Sequence, residues 1–177
     1  MKLARIALAL VALPQVGWAA EPNTPAVPAA VRALVGCWTG EGEVMRKPVT
    51  ITAEAQPIAE DALLVLDTHS RAVTDAADRY AAHLVFGGTG KPSETQAGAI
   101  SGFWSDSFGG AYTAVGKGEA TPGGFTVTYP YPDSAFRNLW RFADDRLTWQ
   151  IVAVDARGSD RPFASYELRK VACSAAP

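Results

Sequence analysis

The sequence predicts an all-β chain, an antiparallel up-and-down β-barrel of about ten strands with a short N-terminal helical turn. Three observations carry this. Short segments that alternate apolar and polar residues follow one another from residue 36 almost to the end of the chain. Clusters rich in glycine, proline and aspartate separate them at the spacing of an all-β domain. No long helical period interrupts them, which argues against parallel strands joined by crossover helices. A meander of that many strands removes its exposed edges by closing on itself.

Each element follows in order. Residues 1–19 read as a secretory signal. Lys2 and Arg5 precede the apolar residues 6–13, a run too short to span a bilayer, and Gly17 and Ala19 supply the small residues of a cleavage site. A periplasmic or secreted location follows from that reading. Residues 20–34 hold a proline-rich lead-in, EPNTPAVP, and one or two helical turns over 29–34. Residues 35–173 form the barrel. Its segments are 36–45, 49–58, 61–73, 79–86, 97–105, a short 110–116, 124–131, 135–142, 147–154 and 163–171. In 49–58, Val49, Ile51 and Ala53 alternate with Thr50, Thr52 and Glu54. In 147–154, Leu147, Trp149, Ile151 and Ala153 share one side. Leu64, Leu66, Leu84 and Phe86 mark the inward face of the third and fourth strands.

Charge and cysteine content narrow the function. The chain has 16 Lys+Arg against 18 Asp+Glu, and loss of the basic leader makes it more acidic still. Nucleic acid and stable membrane insertion are therefore not expected. Cys37 and Cys173 are an even pair in an exported chain and read as a disulfide between the two ends of the barrel. No nucleophile elbow or phosphate loop is present; residues 87–91, GGTGK, have the composition of a phosphate loop without its spacing.

The stretch LVGCWTGEGEV, residues 34–44, carries the most specific signal. Gly40 and Gly42 fall on the same face of the first strand as Trp38. Glycine inside a strand marks a sharp bend or a close approach, and here it leaves room for a large indole across the end of the barrel. Gly36-Cys37-Trp38 resembles the Gly-x-Trp opening of lipocalins, in the calycin superfamily. The fuller pattern over 36–42 is similar to nitrobindin-type barrels of ten strands and to exported bacterial lipocalin-like domains of unknown function. The resemblance implies that Trp38 packs against an arginine from the last strand, which makes Arg169 the candidate. It also implies a haem-ligating histidine in the C-terminal part of the chain, and no histidine follows His83. No cofactor is therefore expected.

The aromatic residues are the candidate ligand site. Trp104, Tyr129, Trp149 and Tyr166 lie on separate strands and are expected to line the lumen. Arg141, with Arg137, is the candidate for holding an anionic head group if its face is inward. His69, His83 and Asp67 are minor candidates for a metal site, because a turn centred on Ala76 sets the two imidazoles opposite each other. The expected function is binding of a small apolar or amphipathic molecule in the lumen. An enzyme of isomerase, cyclase or hydrolase type, a haem or metal barrel, and a filled barrel that binds a protein partner remain open as alternatives.

Overall fold

The computed structural model describes residues 27–89 and 98–173. The expected leader, most of the lead-in and part of the loop after residue 89 lie outside the described residues. The chain begins with α1 (Ala29–Arg32) and continues through β1 (Gly36–Val44), β2 (Lys47–Ile58), β3 (Leu63–Ala72), β4 (Arg79–Gly88) and β5 (Ala99–Asp106). A 3-10 turn at Gly110–Tyr112 leads to β6 (Ala114–Thr121), β7 (Gly124–Tyr131), β8 (Ser134–Ala143), β9 (Arg146–Asp155) and β10 (Asp160–Val171). Every strand pairs antiparallel with its sequence neighbour, and β1 also pairs with β10, so the sheet is a closed barrel. Among the described residues no helix is long and apolar enough to cross a membrane.

Closure gives the barrel two unlike ends. At one end lie the start of β1, the β8–β9 turn and α1. Here the interior is solid: Phe86, Phe125, Trp140, Leu147 and Leu168 are buried with Val31 and Leu34 of the N-terminal turn. Trp38 is the keystone of this floor. It is 2% exposed, and its indole Nε1 donates to the carbonyl of Leu34 at 2.7 Å. That bond satisfies a carbonyl at the end of the helical turn and pins the turn across the barrel mouth.

The glycines of β1 exist for the seam with β10. A Cβ on Gly40 would stand 2.0 Å from the Glu167 carbonyl oxygen, and one on Gly42 would stand 2.2 Å from that of Ser165. The two strands therefore coil against each other more closely than a side chain permits.

One expectation at this end changes. The cation above Trp38 is Lys170, not Arg169. Lys170 is the register partner of Trp38, and its Nζ lies 5.4 Å from the ring centre. Arg169 pairs with Thr39, faces outward and is exposed. The same parity lets the disulfide form without a bulge. Cys37 is opposite Val171 on the outer face, and Cys173 follows two residues later, with the two Cα atoms 5.1 Å apart. The Cys37–Cys173 disulfide points to an oxidising compartment.

The sixth strand also differs from expectation. Residues 110–112 are a 3-10 turn, and the strand runs 114–121. Its inward positions are Ala114, Gly116 and Gly118, so no large apolar residue marks the period. The interior volume they leave is taken by the Tyr129 ring of β7, 2.7 Å from where a Cβ on Gly116 would stand.

Two variants test this account. Gly40→Ala is expected to cost on the order of 3 kcal/mol, because backbone rather than a flexible side chain blocks the methyl. Urea unfolding measures it, and a midpoint equal to wild type contradicts the close approach. Replacing both Cys37 and Cys173 with serine is expected to cost about 4–5 kcal/mol on the chain-entropy argument, since the bridge closes a separation of 136 residues. The same titration reads that loss, and adding reductant to wild type should reproduce it.

Candidate functional site

Above the floor the interior opens into a cavity of about 730 Å³ that reaches the other end of the barrel. Its depth is set by a layer of rings and one amide. Trp149 donates its indole N–H to Asn138 Oδ1 at 2.9 Å, a bond buried between β9 and β8. Trp104 stands edge-on to Tyr129 at 5.4 Å between ring centres, and Tyr166 lies 5.0 Å from Trp149. Ile51, Ile151 and Thr68 complete the wall. The mouth is ringed by Met45, Tyr80, Phe108, Tyr112, Tyr131 and Phe163. Phe163 reaches it through a β-bulge between Pro162 and Ala164, which re-aims a residue that regular alternation would send outward. It then packs edge-on against Phe136 at 4.9 Å.

Three aspartates line this cavity, Asp78, Asp106 and Asp133, and Asp106 is the one held by donors from the aromatic wall. Asp106, the last residue of β5, follows Trp104 on the inward face. Its Oδ2 accepts the Tyr80 hydroxyl at 3.0 Å and the Trp104 indole N–H at 3.1 Å. Its Oδ1 accepts the backbone N–H of Phe108 at 2.9 Å. Three donors from two strands and a loop fix the group in one orientation. Tyr129 is 1% exposed, and its hydroxyl has no partner among the described residues. Burial raises the phenol of Tyr129 far above its ordinary value, and burial together with the Asp106 carboxylate does the same for Tyr80. Burial pushes Tyr166 up to about 12.

The residues singled out in the sequence divide as follows. Trp104, Tyr129, Trp149 and Tyr166 all line the cavity. Arg141 does not: it alternates with buried Trp140 on β8 and is exposed on the outer wall. Arg137 shares that outer face and pairs with Asp160. His69 and His83 do not meet. Asp75 Oδ1 accepts the Ala77 N–H at 2.9 Å and moves the turn centre one residue earlier, so the register shifts by two. His83 is then opposite Asp67, with 2.6 Å between Nδ1 and Oδ1, and His69 is opposite Ala81. Both histidines are exposed on the outer wall. Neither histidine lines the cavity. Among the described residues Cys37, Glu54 and Cys173 converge, but the two sulfurs are bonded to each other.

Sequence reasoning missed Tyr80, Asp106 and Asn138. Parity carried a signal for two of them. Asp106 continues the inward series Ile100, Gly102, Trp104, and Asn138 lies two residues before Trp140.

The buried phenols give the barrel an alkaline limit. An unfolded tyrosine ionises near its ordinary value of 10.0, whereas Tyr166 holds its proton to about 12. The unfolded state thus binds fewer protons above that point, and stability falls as pH rises from about 10 through 12. Absorbance of phenolate followed through an alkaline titration should show Tyr129, Tyr80 and Tyr166 ionising only as the barrel unfolds. Ordinary ionisation of all five tyrosines in the folded state would contradict their placement.

No family profile matches the chain, and no curated protein does. Solved structures do match. The crystal structure of Rv2717c from M. tuberculosis has a TM-score of 0.62 at 14% identity, covering 82% of this chain and 99% of that one. The S-type phycobiliprotein lyase CPES from Guillardia theta has a TM-score of 0.54 at 14% identity, covering 79% of this chain and 89% of that one. At that identity the likeness concerns the fold alone, and the fold of this chain is a closed antiparallel barrel of ten strands.

Proposed function

We propose that this protein is an exported carrier that binds a small, mostly apolar molecule reversibly in the barrel lumen. The cavity is the observation that carries this reading. A space of about 730 Å³ suits a drug-sized ligand, its walls are largely aromatic and aliphatic, and its floor is sealed. A barrel without such a task is filled by its own side chains, as this one is in its lower half. The likeness to a phycobiliprotein lyase is one of fold and names no ligand for this chain. Export rests on the basic and apolar leader and agrees with the disulfide.

Native mass spectrometry of protein purified from a periplasmic extract tests the reading directly, because a carried molecule appears as added mass. Ser70→Trp supplies the matched control. Ser70 lines the cavity and is 9% exposed, so an indole there fills the void without displacing a core ring. The variant is expected to fold and to lose binding of an environment-sensitive apolar dye by at least about tenfold. Unchanged dye binding would place the dye outside the lumen and sink the proposal.

A further inference from the structure

Resting on that reading, we infer that the lumen selects an apolar molecule bearing a cationic amine or quaternary ammonium group, with Asp106 as its counter-charge. The charges of the lining are one-sided. Asp78, Asp106 and Asp133 are its acidic members, and Lys47 is its one basic member. Lys47 is already paired with Asp78 at the rim. The arginines of β8 that an anionic head group would need point the other way. A carboxylate ligand would therefore meet only negative charge inside the barrel.

The surroundings of Asp106 fit a cation in a second way. Its carboxylate is held among rings: Tyr80 and Trp104 both donate to it, and Phe108 lies 5.5 Å from Tyr80. A fixed carboxylate among aromatic side chains attracts a weakly hydrated ammonium ion by charge, and any ring face the ion reaches adds its quadrupole. Three donors occupy Asp106, which leaves it room for one more contact and no freedom to turn away. The apolar tail would then lie against Ile51, Ile151 and Trp149, with the head group toward the mouth.

Octyltrimethylammonium, 1-octanol and octanoate share a tail and differ in head group, so they test the inference on the wild-type protein. Quenching of tryptophan emission, checked by calorimetry, reads each affinity. The expected order is ammonium, then alcohol, then carboxylate, with at least about a tenfold gap between the first two. Asp106→Asn should remove most of that gap. Asp144→Asn deletes one charge in the β8–β9 turn at the floor end and should leave it in place. Octanoate binding as tightly as the ammonium, or a gap that survives Asp106→Asn, would overturn the inference. Octanol binding with no charge preference overturns it while leaving the carrier reading intact. Failure of all three to bind removes both.

Discussion

The hydrogen bond from the Trp38 indole to the Leu34 carbonyl is the contact on which the rest of the molecule depends. It joins the first strand to the helical turn α1. With it, Val31 and Leu34 become part of the core rather than an exposed lead-in. Without it the lower end would be an open ring of strands, and the rings above would face water. Lys170 covers the other side of the indole, and Phe142 lies 6.3 Å from it, so Trp38 is enclosed on every side. A single residue thus converts a tube into a cup.

The cup is solid below and hollow above, and stacked aromatic rings draw the line between the two. Trp140 stacks on Phe125 at 4.5 Å and on Trp149 at 5.6 Å, while Phe86 meets it edge-on at 5.5 Å. Such pairs are worth about 0.5–1.5 kcal/mol beyond the area they bury. The stack comes at a cost: the Trp140 indole N–H is buried with no partner among the described residues. An unsatisfied donor of that kind costs about 1–3 kcal/mol. Trp149, the register partner of Trp140 on β9, avoids the penalty through Asn138, and there the cavity begins. Polar side chains enter the interior only where there is space to approach them.

How much of this was legible follows from what each residue reveals by itself. The Gly-x-Trp opening and the glycines after it pointed to a sealed end, because an indole beside small residues has few other uses. Most strands announced themselves by alternation, as in Leu147 to Ala153. The sixth did not, because Ala114, Gly116 and Gly118 face inward and carry no bulk of their own. The space they leave is filled by Tyr129 from a neighbouring strand, which no local pattern records. The resemblance pointed to Arg169 beside Trp38, and the pairing of Trp38 put Lys170 there instead. The histidine register was lost to one Asx turn at Asp75, since a hairpin's pairing follows its turn. The four cavity rings were legible as aromatic residues on separate strands. The carboxylate between them was not, because β5 runs one residue past the point where its apolar signal stops.

The clasp between Cys37 and Cys173 sits at one extremity of the β1–β10 seam, beside the sealed base. At the opposite extremity, Val44 pairs with Ala164 through strand pairing and core packing, with no covalent link. Strand separation that starts from the chain termini is therefore blocked where the terminal strands would otherwise peel first. Any breathing of the wall along this join is confined to the rim, where the flanking segments are a tight two-residue reversal at Met45 and Arg46 and the irregular start of β10. Loosening of the lip would widen the mouth of the cavity while the base stays covalently stitched.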